Sequence, residues 1–470
     1  MPDSAASAPR PLLTITDAVI LSMVDGEDWF RGWISVGVDG RISGLGVGDA
    51  PADALTAAEV VDAAGAFVAP GFVSAHSHIF TSGMRGMTPG DPLYGWVGVQ
   101  AQFMSGTDAD DVYWMTLHGS LDFLVNGVTS AYNFLSSRFH SRYDAASDSR
   151  VILAELGPEY VYRQVDAGAD ANLRLVNAVR IDSELQSADR AHGVFADAMD
   201  YVRTAIPREL DLGGSVFGAQ QWSDSPETAA HEAAMMDAHG VSNQAHFLET
   251  SEALDQQREK FDWYERSGAL RPGFLFGHFV HPDEHMSRTA AERGAGMVWQ
   301  PASNGRLASG FADIPRYREL GMPIGVGLDD QSCTDISDPF QNMRIGMYAQ
   351  RALHRDAAII MPREMIRMHT LGGAEALGVG DRIGSLAVGK FADLVIVDPR
   401  HPDTGPVWDP FAHYAFACGL RNLTHVYVGG RLVARDGVST HPLAATASLE
   451  LHDRVRSAAA RAGLAADLAW

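Results

Sequence analysis

Cysteine is almost missing from this chain: Cys333 and Cys418 are the only two in 470 residues. That scarcity excludes a disulfide framework and a cysteine-based zinc knuckle, and it fits a reducing, cytoplasmic setting. Positive charge is also in short supply. Lys and Arg total 36 against 59 Asp and Glu, a formal net charge of -23. Nucleic acid and anionic membrane surfaces attract positive patches, so both are disfavoured as partners. No run of about 18 consecutive apolar residues occurs, and no membrane span is expected. Residues 1–11 are rich in Ala, Ser and Pro without an apolar core, and read as a flexible tail, not a signal peptide. Internal repeats and low-complexity tracts do not stand out.

What is present begins with Gly71-Phe72-Val73-Ser74-Ala75-His76-Ser77-His78. An apolar run after Pro70-Gly71 reads as a buried strand, and its last turn of alternation carries two histidines. Side chains in a strand alternate with period 2, so His76 and His78 point the same way and make half of a divalent-metal site.

Around this stretch the texture of the chain changes twice. Short β runs with glycine turns fill residues 12–68 and return in 383–440, which suggests one small β-sandwich-like domain built from both ends. Between them, residues 69–382 alternate strands with helical periodicity, the signature of parallel α/β architecture. Candidate strands lie at 72–75, 128–132, 150–154, 215–219, 244–247, 274–276, 296–299 and 324–327. Eight strands are what a closed, distorted (β/α)8 TIM barrel requires. Residues 163–209 read as helices elaborating the loop after the third strand, and 441–470 as a C-terminal helical segment.

In such a barrel every strand's carboxyl end opens on one face, so reactive groups belong at strand ends. The fifth candidate ends at His246-Phe247-Leu248-Glu249, the sixth at His278-Phe279-Val280-His281, and the eighth at Leu328-Asp329-Asp330. With the opening His-x-His, three further strand ends carrying imidazole or carboxylate form a far rarer coincidence than any one alone.

As a set these residues resemble the amidohydrolase superfamily over nearly the whole chain. The motifs that carry the likeness are Pro70-Gly71-Phe72 leading into His76-Ser77-His78, and the closing run from Gly384-Ser385-Leu386 to Asp393-Leu394-Val395. His246-Phe247-Leu248-Glu249-Thr250 and Pro301-Ala302-Ser303-Asn304 look like its mononuclear deaminase and triazine-hydrolase branch, and apolar flanks give a further likeness to phenylurea and molinate hydrolases. The resemblance implies that His76, His78, His246 and Asp329 hold one divalent metal, zinc first, with iron, cobalt or manganese as alternatives. It implies that His278, Glu249 and Asp329 serve catalysis. The reaction implied is attack of a metal-activated water on a trigonal carbon in a small molecule, an amide, urea or (thio)carbamate carbonyl. The alternatives are an aminohydrolase or dechlorinating hydrolase acting on a heteroaromatic ring and, in another class, a metal-free scaffold. Xenobiotic degradation and a homo-oligomer also follow from the likeness alone.

Two-metal members of the superfamily carry a carboxylated lysine at the end of strand four, where this chain reads Gly218-Ala219-Gln220-Gln221-Trp222. A single metal is therefore favoured. Several residues remain open at this stage. His281 competes with His278 for the active-site position; Asp330 either bonds its own loop or joins the chemistry. Arg85 meets either a substrate carboxylate or neighbouring acids. Trp96, Trp222, Gln220 and Asn304 are candidate substrate contacts, with core packing as the competing explanation for the aromatics.

Overall fold

The computed structural model describes residues 10–144 and 149–464, so most of the expected tail, residues 1–9, lies outside them. No helix among the described residues is long and apolar enough to cross a membrane. Eight parallel strands form the central sheet: β1 Phe72–His78, β2 Val128–Phe134, β3 Arg174–Arg180, β4 Asp211–Gly218, β5 Ser242–Phe247, β6 Phe274–His278, β7 Gly296–Trp299 and β8 Ile324–Val326. The chain leaving β8 forms a second short piece, Asp329–Asp330, that pairs in parallel with Ser77 and His78 of β1. That pairing closes the sheet into a distorted (β/α)8 barrel. Each strand is buried on both faces, which is why the strands read as apolar runs without clean alternation.

One expected barrel strand is wrong. Residues 150–154 belong to Ser149–Glu155, which pairs antiparallel with Phe139–Asp144 as a separate two-stranded hairpin. The true β3, Arg174–Arg180, lies inside the segment read as helical. It sits between helices Glu159–Asp170 and Ala188–Ala205, and an arginine at each end disguises a strand whose middle is wholly buried.

Val73, Ala75, Tyr132, Val176, Leu275 and Val298 fill the barrel interior, and Ala374, Leu377 and Phe391 cap its amino end. Strands from both chain ends combine in one mixed nine-stranded sheet. Its junction is Phe67–Pro70 pairing antiparallel with Leu394–Val397, so the segment that enters β1 is itself anchored in that sheet. Helix Ala444–Arg461 packs on helix Ala109–Val125. With the amino end plugged, the carboxyl ends of the strands are the open face.

Candidate active site

His76 sits at the end of β1, fully buried, and its tautomer follows from a neighbour on β5. The Gln244 amide nitrogen donates to the Ala75 carbonyl at 3.0 Å, which leaves the amide oxygen facing His76 Nδ1 at 2.5 Å. Nδ1 must therefore carry the proton, and the Nε2 lone pair points into the barrel mouth. That Nε2 is buried and has no hydrogen-bond partner; Asp329 Oδ1 lies 3.4 Å from it. His78 Nε2 faces His246 Nε2 at 2.9 Å and Asp329 Oδ1 at 3.9 Å. The ligand atoms of His76, His78 and His246 all lie within 4.8 Å of one another, as do those of His76, His278 and Asp329.

The local backbone is built for this convergence. His278 and Asp329 have φ of 70° and 64°, a left-handed conformation that costs energy in non-glycine residues and turns both side chains off their strands into the mouth. Two glycines make room for His76: a Cβ on Gly277 would stand 2.8 Å from its Cε1, and one on Gly327 2.6 Å from its Cβ. Phe134, at the end of β2, stacks on His78 with centroids 4.6 Å apart and meets His76 edge-on at 4.6 Å.

Burial and the neighbouring His76 push His78 down to about 3, and burial pushes His278 down to about 3 and His246 well below the ordinary histidine range. All three are neutral at pH 7, the form that ligates metals. Asp329 is opposed by burial yet held well below the usual carboxylate range by His278 and His76. Glu249 and Asp330 go the other way. Burial and the adjacent Asp329 raise both well above that range, and Asp330 adds to the effect at Glu249. Glu249 Oε2 lies 3.4 Å from His278 Nε2, and Asp329 Oδ2 3.8 Å from the same nitrogen.

These groups line a cleft of about 1190 Å³, walled by Phe80, Tyr94, Trp96, Phe217 and Trp222. The volume exceeds the roughly 300–1,000 Å³ of ordinary ligand pockets. Of the expected contacts, Trp96, Trp222 and Asp330 line it, and Gln100 donates to Asp330 Oδ1 at 3.2 Å. Asn304 stands behind the wall, its amide 2.9 Å from His278 Nδ1. Like Asn304, three further expected contacts make bonds away from the cleft. Arg85 pairs with Asp122 at 2.6 Å, Gln220 donates to the Lys260 carbonyl, and His281 Nε2 bonds the Ser309 carbonyl at 2.6 Å; none lines the cleft. His278, not His281, is the imidazole that faces the cluster. The sequence did not single out Gln244, Phe134 or Gln100. A glutamine two residues before the strand-end histidine was the one visible signal, since period 2 puts Gln244 on the same face as His246.

Residues 67–433 match the amidohydrolase family. A 5-methylthioadenosine/S-adenosylhomocysteine deaminase of Syntrophobacter fumaroxidans is 27% identical over 443 residues, 92% of this chain and 94% of that protein. An S-triazine hydrolase of Gordonia rubripertincta is 36% identical over 213 residues, 44% of this chain and 45% of that protein. Among solved structures, an adenosine deaminase from Xanthomonas campestris with bound zinc superposes with a TM-score of 0.80 at 22% identity, covering 96% of this chain and 100% of that one. An atrazine chlorohydrolase from Arthrobacter aurescens complexed with zinc gives 0.81 at 18% identity, covering 94% and 100%. At those identities the solved structures speak for the fold.

Proposed function

The chain belongs to the amidohydrolase family and is a metal-dependent hydrolase of carbon–nitrogen bonds, and on that premise we propose that it is an aminohydrolase, releasing ammonia from an aminated heteroaromatic ring. The enzyme relatives set aside the metal-free scaffold. The carbonyl-cleaving reaction, first in order from the sequence, gives way because sequence relatives matched over most of both chains are deaminases.

The observation that carries the reading is the pair formed by Glu249 and His278, 3.4 Å apart beside the histidine–aspartate cluster. Ring deamination needs a proton delivered to a ring nitrogen and then to departing ammonia. A buried carboxyl whose affinity for protons is raised, next to a neutral imidazole, is suited to hold and pass it. His76, His78, His246 and Asp329 would hold one divalent ion: three imidazoles, one carboxylate and an orphaned buried Nε2 fit that charge. Tetrahedral zinc with bonds of about 2.0–2.1 Å sets its ligands roughly 3.3 Å apart, and the separations of 2.9, 3.4 and 3.9 Å straddle that value. Zinc is the first expectation because solved relatives bind it, and iron, cobalt and manganese suit the same donors. Such an ion, when bound, supplies Lewis acidity that makes water nucleophilic near neutral pH. With the ion bound, Asp329 would take the water's proton at Oδ2 and His278 would orient the substrate, while the aromatic walls hold the ring.

A second reading, hydrolytic displacement of another substituent on a triazine ring, is favoured by the 36% identical segment shared with the S-triazine hydrolase. The test is ammonia release from metal-replete protein offered 5-methylthioadenosine, aminated triazines and N-aryl ureas. Deamination of an aminated heterocycle with kcat/KM at or above about 10⁴ M⁻¹s⁻¹ is expected. Turnover of the ureas, with no ammonia from any heterocycle, overturns the proposal.

A further inference from the structure

The turn 219–223 after β4 brings Gln221 and Trp222 into the cleft, and two charged residues outside the cleft grip its backbone. From beneath, Glu232 of helix Glu227–His239 accepts from the Ala219 amide at 2.8 Å and from the Asn243 side chain at 3.1 Å. From the side, Lys260 donates to the carbonyls of Gln221 at 2.9 Å and Ser223 at 2.7 Å. Glu232 is wholly buried and Lys260 half-buried, so these bonds are made at a desolvation cost that a mere connecting turn does not require. The turn also touches the site directly. With its amide turned to suit both neighbours, Gln221 donates to the His246 carbonyl at 2.7 Å and accepts from the Trp222 indole at 3.0 Å, and Tyr94 meets Trp222 edge-on with centroids 5.6 Å apart.

We propose that Glu232 and Lys260 are positioning residues that fix the plane of the Gln221–Trp222 wall, against which the ring of an aromatic substrate is held, and thereby set KM. The inference rests on the aminohydrolase reading of the cleft. Its physical basis is that a flat ring gains from stacking only when the facing indole is held still.

Glu232 also offers a clean variant. Asn243 Oδ1 is buried without a partner, so the amide that Glu232→Gln introduces, or the protonated carboxyl of Glu232 itself, can donate to it once the Asn243 amide turns over. Burial pushes the Glu232 carboxyl up to about 7. The charged and titratable groups that act on it or feel it are Arg180 and Glu184 at and beyond the end of β3, Tyr132 of β2 and Tyr264 of helix Phe261–Ser267.

The experiment uses the full-length, metal-loaded chain labelled with 5-fluorotryptophan, the Trp222 signal being assigned by its loss in Trp222→Phe. In the wild type that signal should move with pH about a midpoint near 7, and in Glu232→Gln it should stay fixed. In Lys260→Met it should shift or broaden, with Lys260→Arg restoring it. Kinetically, Lys260→Met should raise KM for 5-methylthioadenosine about tenfold with kcat within about threefold. A Trp222 signal identical in wild type and Lys260→Met, or a fall in kcat at constant KM, overturns the proposal. Spectra that behave as expected without turnover of any heterocycle uphold the positioning role and overturn the aminohydrolase reading.

Discussion

At the scale of single residues, the site depends on groups that never touch a substrate. Gln244 sets the His76 tautomer by using both ends of its amide, one on Ala75 and one on Nδ1. Gln244→Leu should therefore weaken metal binding about 10–100-fold, measured by competition with a chelator, because His76 is then free to place its proton on Nε2. Glu249→Gln should keep a full equivalent of metal and lower kcat by about 10²–10⁴, the range for loss of a positioned proton donor. Glu232 yields a stability prediction. Its native pKa is raised from 4.5 to about 7, so the native state binds more protons than the unfolded chain in that window, and stability falls as pH rises through it. Glu232→Gln should lack this loss, gaining up to roughly 3 kcal/mol over the wild type between about pH 4.5 and 8 in urea titrations. The histidines and Asp329 were legible because each sits at a strand end with a local pattern. Phe134 was not, since its importance lies in contacts across strands that no linear spacing encodes, and for Gln244 the spacing gives only the face it shares with His246, not its bonds to His76 and Ala75.

At the scale of elements, strands are legible where apolar runs are short and bounded by turns, and β3 is the exception. The segment Val151-Ile152-Leu153 has the stronger strand composition, yet Ile152 is 39% and Leu153 50% exposed in an outlying hairpin. Arg174–Arg180 is the core strand, and its first arginine is acceptable inside because a distant aspartate and the Glu209 carbonyl meet it. Burial of charge is a tertiary fact, invisible to periodicity. The packing of strand ends is equally non-local. Gly327 lies against the backbone nitrogen and oxygen of His76 at 3.0 and 2.8 Å from where a Cβ would be, with no flexible side chain to yield. Gly327→Ala should displace β1 at its catalytic end. The expected result is loss of bound metal with the circular-dichroism spectrum retained; undiminished metal content would remove Gly327 from the account of how His76 is placed.

At the scale of the whole molecule, a buried ion pair joins the barrel to the sheet made from both chain ends. Arg174 Nε and Nη2 meet the two oxygens of Asp393 at 2.7 and 3.1 Å, both side chains are buried, and the guanidinium lies over the Phe391 ring at 3.8 Å. Asp393 reaches further: its carboxylate accepts from the Gly429 amide at 2.7 Å, and its backbone carbonyl accepts from Gly71, at the threshold of β1. A single residue thus ties β3, the start of β1 and a turn of the terminal sheet together at the plugged end of the barrel. Removing one partner leaves an uncompensated buried charge, whereas removing both leaves only a packing defect. Asp393→Ala alone should cost about 3–5 kcal/mol in urea unfolding. The double variant Arg174→Met with Asp393→Leu should recover most of that loss. Because the pair lies at the opposite end of the strands from the cleft, kcat of the folded fraction should change little in either protein. If the double variant is as unstable as Asp393→Ala, then the backbone bonds made at Asp393, and not the buried charges, hold the two sheets together.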